Sequence, residues 1–570
     1  MSSDHPIINC HTHIFTGDHV PPWLAKTFLA APIYFLLPVS GIVAVFRWWY
    51  GEKGPNDFFY GATWKRVLKT LYTIRMTVAR NGILNILSIL LGIYITLNVF
   101  FFLYHLIAHL VAPSKKDVAK VGYVEGLLRS AKIIGAHPNT LLMLLFVFIL
   151  LVFYSQGRKL ILFVFNQLWK FMGMLPKKST IELLKRYVLI GRFSRYENQS
   201  GIFSKLCGQY PQETGFVILP MDMRYMGAGK PKIDIRSQLD DLLTLKTKHD
   251  RICYPFVFAD PHRLTDKTYF DYIVDANGDV ILSPDCLIKQ LLEDNQFSGI
   301  KIYPALGYFP FEEALLPIWK YASQNNLPVT THCIKGTIFY RGSKEKDWDQ
   351  HPVFGFPLLQ RQNELFTLNF THPLNYLCLL DETLLRTLVA RAADSRIKQM
   401  FGYTGDNTPL ERDLQKVKLC LAHFGGDDQW KLFMDRDRDI WSRMLQSHPD
   451  RGIEFLYTDE THATPTPGKP ELLWNDADWY TIICSLMLQY PNTCADISYI
   501  LHNPEILPLL QQTLRHPSLR PRVLYGTDFY VVRNHKSDKE MLADMMGGLS
   551  IEDFDQIARI NPRPFLNLEL

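Results

Sequence analysis

Eight short apolar runs constrain what this chain can fold into. They are Ile7-Ile8 leading to His11, then Phe216–Leu219, Tyr254–Phe258, Gly299–Pro304, Pro328–His332, Leu419–His423, Thr493–Ser498 and Arg522–Asp528. Each closes on polar residues. From about residue 198 onward helical patterns separate them, as Phe311–Asn325 does before the Pro328 run. Short buried strands alternating with helices specify a parallel sheet. Eight of them predict an α/β fold closed into a (β/α)8 TIM barrel. Chemistry in such a barrel sits where the strands end.

The first run is separated from the second by a long apolar block. Residues 25–46 are apolar but broken by Pro32 and Pro38, and read as a kinked span, a re-entrant pair or an interfacial helix. Residues 47–82 are basic and aromatic. Residues 83–112 carry no Asp, Glu, Lys or Arg, long enough to cross a bilayer with tilt. Thr140–Leu168 is a second apolar run, interrupted by Arg158-Lys159. His105 and His109 lie at helical i, i+4 spacing in the first span, a pairing that suits interhelical hydrogen bonds better than a metal. If the first strand is to rejoin the barrel, the chain must cross an even number of times. Two crossings are expected, with four as the alternative. Basic flanks then place the barrel on the cytoplasmic side of a multi-pass membrane protein. The expected organisation is residues 1–20 as the first strand, 21–178 as a helical membrane insertion and 179–570 as the remainder of the barrel. A long excursion at about 333–416 falls between the fifth and sixth strands.

A net charge of +5 with no basic stripe excludes a nucleic-acid-binding protein. The nine cysteines are odd in number, widely spaced and lack a Cys-x-x-Cys, which predicts reduced thiols. Met1 to Pro6 has neither a basic nor an apolar leader segment.

His11 and His13 are expected on one face of the first strand, where two imidazoles can share a divalent ion. Alone the pair is weak, since 18 histidines in 570 residues give about 0.6 such pairs by chance. Lys301, His332, His423 and Asp528 sit at the ends of four further strands, and together they read as one site. Asn9-Cys10-His11-Thr12-His13, Gly299–Pro304, Val329–Cys333, Leu421–Gly426, Tyr490–Asp496, Tyr525–Asp528 and Asn561–Phe565 make the chain resemble the amidohydrolase superfamily. Within it, the likeness is to the amidohydrolase-2 group related to aminocarboxymuconate semialdehyde decarboxylase.

The resemblance implies that His11, His13, His332 and Asp528 hold one divalent ion, Zn²⁺ by ligand type. It implies that His423 is the general acid/base and that Asp528 doubles as proton acceptor. Lys301 is expected to bind a substrate anion; in the alternative it is carboxylated, bridging a second metal with His332 and His423. Arg263 is a candidate anion binder, and His372, Asp459 and His462 are candidate substrate contacts. The implied activity is metal-dependent hydrolysis of a C–N or C–O bond in a small molecule, with decarboxylation on the same site as the alternative. A non-catalytic membrane scaffold would show a broken ligand set, and this set is complete. The insertion follows His13 directly, so the catalytic mouth is expected to face the bilayer and take an amphiphilic or membrane-delivered substrate, with a simple anchor as the alternative.

Overall fold

Strand β1 (Ile8–Thr12) pairs in parallel with β2 (Gly215–Ile218) across more than 200 residues of intervening chain. The order continues through β3 (Cys253–Phe258), β4 (Gly299–Ile302), β5 (Pro328–His332), β6 (Lys418–Ala422), β7 (Thr493–Asp496) and β8 (Val523–Leu524). Every neighbour pair is parallel. The ring closes where Cys10 donates its N–H to the Tyr525 carbonyl at 2.8 Å, Asp528 donates to the His11 carbonyl at 2.9 Å, and Thr12 bridges Phe529. This computed structural model describes residues 5–26, 33–36, 38–50, 61–111, 115–135, 139–155, 157–163, 177–194, 196, 198–336, 338–359, 363–435, 440–456 and 469–569. Asp459 and His462 lie outside the described residues.

Two hydrophobic clusters hold the barrel. Ile8, Cys10, Val217, Leu219, Phe256, Cys420 and Leu524 come from five strands and are closed off by Phe565 and Leu566. The larger cluster joins strand residues such as Ile300, Ile302 and Val329 to the surrounding helices. A helix precedes β2 at Gln199–Cys207. The 333–416 excursion contains helices, with Asn363–Thr371, Glu382–Arg391 and Ser395–Phe401 among its elements.

The chain divides into two compact units, 1–47 with 181–570, and 48–180. The boundary expected after residue 20 therefore falls at 47. The reason is burial: Val20, Leu24, Ala25, Val39 and Val43 pack in the same core as Leu189, Ile190 and Phe193. Asp18 also pairs with Arg47 at 2.5 Å.

The 48–180 unit contains the helices Ala62–Arg80, Gly82–Val111, Lys115–Ser130 and Thr140–Phe153. Ile95, Val99 and Leu150 form its buried contact. His105 is tied to Glu125 at 2.7 Å, and the side chain of His109 lies outside the described residues. Gly82–Leu106 is the one described helix that by itself is long and apolar enough to cross a bilayer. Thr140–Phe153 with Gly157–Phe163 meets the same requirement only as a pair bent by 111°.

Candidate metal centre and cleft

His11 and His13 leave β1 where its register against β2 shifts between Asn9 and Thr12. That irregularity re-aims the strand end. The His11 Nδ1–H donates to Asp496 Oδ2 at 2.9 Å, and the His13 Nδ1–H donates to the Leu219 carbonyl at 2.8 Å. A carbonyl oxygen only accepts, so these partners assign the proton to Nδ1 in each ring. The two Nε2 lone pairs then face each other at 3.3 Å, with Asp528 Oδ1 at 3.2 Å from His13 Nε2 and 3.8 Å from His11 Nε2. Atoms about 2.05 Å from one tetrahedral ion lie roughly 3.3 Å apart. Two lone pairs and a carboxylate converging in a buried site repel one another unless a cation sits among them. Burial first, then Lys301 and His13, push His11 well below its ordinary pKa, which keeps it a neutral ligand. His11, His13 and Asp528 thus fit a divalent ion.

Asp496, at the end of β7, is a further member of the site that the strand-end pattern alone does not mark. One oxygen accepts from His11, and the other accepts from the N–H groups of His423 and Ser498, each at 3.0 Å. Ser498 Oγ also donates to it and receives the His423 Nδ1–H at 2.8 Å. His423 Nε2 in turn accepts from His332 Nδ1 at 3.0 Å. His332 therefore stands beside His423 and outside the tight His11–His13–Asp528 group, stacked on Tyr303 with ring centroids 4.2 Å apart. Its Nε2 is buried without a hydrogen-bond partner. Burial pushes His423 down to about 3 and His332 well below the usual range, so both are neutral.

Three non-glycine residues of this cleft have left-handed backbones: His423 (φ 64°), Tyr499 (φ 62°) and Asp528 (φ 61°). Such conformations cost on the order of 1–3 kcal/mol each and persist where the surroundings over-determine them. After His423 the chain stays left-handed through Phe424, Gly425 and Gly426, and Gly425 N–H is pinned to the Cys333 carbonyl at 3.1 Å.

Lys301 is fully buried beneath this centre, and its Nζ has no hydrogen-bond partner. Burial pushes it down to about 8, against the upward pull of Asp496 and Asp528. Two expected contacts are corrected. Arg263 does not face the cleft: its guanidinium is spent on the buried Asp222 at 2.7 Å and the half-buried Asp234 at 3.2 Å. His372 caps the Pro373–Tyr376 turn by accepting from Leu374 N–H and stacks on Trp474 at 3.8 Å, apart from the cleft.

The cleft spans about 480 Å³, open solvent included, among His13, Tyr303, His332, His423, Tyr499 and Asp528, with Arg186 and Lys335 as its cations. Arg186 comes from the helix Lys177–Phe193 that returns the chain from the 48–180 unit, a segment whose sequence reads only as a membrane flank.

No family model matches the chain, and no curated protein matches it. Eleven chains of solved structures match this one, and three of them follow. One is the 5-carboxyvanillate decarboxylase LigW from Sphingomonas paucimobilis, 10% identical over 67% of this chain and 86% of that one, with a TM-score of 0.33. The second is the 5-carboxyvanillate decarboxylase LigW2 from Novosphingobium aromaticivorans, with bound manganese and 3-methoxy-4-hydroxy-5-nitrobenzoic acid. It is 12% identical over 69% and 94% of the two chains, with a TM-score of 0.34. The third is an amidohydrolase from Mycobacterium avium subsp. paratuberculosis, 12% identical over 65% and 74%, with a TM-score of 0.27. What the chain itself displays is a (β/α)8 barrel whose strand ends gather histidines and carboxylates into one buried cleft.

Proposed function

We propose that this cleft is the active site of a metal-dependent enzyme of the amidohydrolase type, hydrolysing a C–N or C–O bond. The observation that carries the reading is the convergence of His11 Nε2, His13 Nε2 and Asp528 Oδ1 at 3.2–3.8 Å, with both Nδ1 atoms already committed. Two imidazoles and a carboxylate suit Zn²⁺. When bound, a divalent ion supplies Lewis-acid polarisation and lowers the pKa of water.

The chain's own residues do the rest. Asp496 and the Leu219 carbonyl fix the ring planes of His11 and His13. Ser498 holds the Nδ1 proton of His423, so Nε2 is the atom that takes or gives a proton. His332 shares that proton path through its 3.0 Å contact. Asp528 lines the cleft and serves as ligand and proton acceptor. Decarboxylation is the second reading, favoured by Arg186 and Lys335 in the cleft wall, which suit a carboxylate substrate. The test is a panel of amides, lactones and aromatic carboxylates given to metal-loaded protein, scored for hydrolysis and for CO2 release. Turnover by the wild type, lost in His423→Asn and His13→Ala, supports the reading; turnover that survives both variants contradicts it.

We propose further that the 48–180 unit anchors the enzyme in a bilayer. Ile83, Leu84, Ile86, Leu87, Ile89, Leu90, Leu91 and Ile93 are all exposed, whereas a soluble core helix would bury them. Because β1 pairs with β2, any crossing must be matched by a return. The bent pair at 140–163 is the candidate for that return.

A further inference from the structure

A second cavity adjoins the cleft. It spans about 360 Å³, open solvent included, and is walled by Phe15, Leu24, Leu189, Ile190, Met223 and Tyr530. Arg186, Ile338 and Val531 line both spaces, so the two meet along that wall. Arg186 is the only charged residue lining the apolar space among the described residues. The metal-type end of the cleft, with His13, His332, His423 and Asp528, belongs to the first space alone.

The origin of the apolar wall is informative. Phe15 and Leu24 follow β1 on the way out to the 48–180 unit, and Leu189 and Ile190 lie on the helix that brings the chain back. A barrel with a short loop after β1 has neither, so the excursion itself builds this annex. An apolar cavity gains from a hydrocarbon occupant by about fourfold in affinity per buried methylene. A guanidinium beside it selects a negative charge over a neutral or positive one.

We infer that the substrate is an anionic amphiphile whose reacting group sits among His13, His332, His423 and Asp528, whose charge faces Arg186, and whose hydrocarbon part fills the annex. This deepens the active-site reading and rests on it.

Full-length protein, metal-loaded and metal-stripped, is titrated with butyrate, hexanoate and octanoate, and with octan-1-ol as the neutral counterpart. Affinity is expected to rise about fourfold per methylene from butyrate to octanoate. Arg186→Gln should weaken octanoate at least tenfold and leave octan-1-ol unchanged. Ile190→Asp and the cavity-filling Val20→Phe should each flatten the chain-length series. Two annex variants guard against one that fails to fold. Equal affinity along the series, or a series unaltered in both folded annex variants, overturns the inference. So does equal loss of octanoate and octan-1-ol in Arg186→Gln. The gradient needs no metal, so a gradient in protein that takes up no metal on loading would sink the active-site reading without touching the annex.

Discussion

Asp496 accepts the Nδ1–H of His11 at 2.9 Å, and this one contact decides which nitrogen of His11 is left for a metal. Its second oxygen holds the backbone N–H of His423, so one carboxylate positions both halves of the centre. Partners of this kind typically account for 10–100-fold in metal affinity. Asp496→Asn keeps the shape and removes the charge. It is expected to weaken Zn²⁺ by roughly 10–100-fold in a chelator-competition titration. Unchanged affinity would show that the contact is packing alone.

Arg263 gives a contrasting expectation. It is 6% exposed and neutralises Asp222, which is 2% exposed. Removing one partner of a buried pair costs roughly 3–5 kcal/mol. Arg263→Met should lower the unfolding free energy by that amount and leave metal affinity as in the wild type. A variant of full stability with altered ligand binding would restore the anion-binding role expected from its place after β3.

Lys301 carries a pH signature. Its pKa falls from the usual 10.5 to about 8 on folding, because burial disfavours the charged form. The native state therefore binds fewer protons than the unfolded chain between pH 8 and 10.5. The penalty is full below pH 8, about 3 kcal/mol, and fades as pH rises through 10.5. Metal-free Lys301→Met should melt higher than wild type at pH 7, by less at pH 9.5. A lower melting temperature at pH 7 would mean that the ammonium is stabilised by groups this structure does not place beside it.

The exposed apolar face of Gly82–Leu106 predicts that full-length protein stays in the pellet after alkaline carbonate and dissolves only in detergent. Leu87→Arg with Leu90→Arg adds a cost of roughly 2.5–3.5 kcal/mol per charge at the centre of a span. The double variant should shift to the soluble fraction. Extraction of the wild type by carbonate alone would remove the bilayer reading.

The barrel was legible because each strand is a short apolar run with a polar end, and that local pattern survives without any neighbour. His11, His13, His423 and Asp528 were legible for the same reason. The final strand was only partly so: regular pairing covers Val523–Leu524, and Asp528 reaches the site on a left-handed backbone four residues later. Asp496 was hidden because Thr493-Cys494-Ala495-Asp496 reads as an ordinary strand end; only folding brings it against His11, 485 residues away. Arg263 misled because its acidic partners, Asp222 and Asp234, come from the preceding barrel unit. Arg186 was invisible because its role depends on where the returning helix lands.

The most direct measurement is the metal content of purified full-length protein, wild type against His13→Ala, by elemental analysis after loading with Zn²⁺. The structure predicts one equivalent in the wild type and loss of it in the variant, with folding confirmed by circular dichroism. Two equivalents would move Lys301, His332 and His423 into a second metal site. No bound metal, or one equivalent retained in His13→Ala, would contradict the metal centre itself.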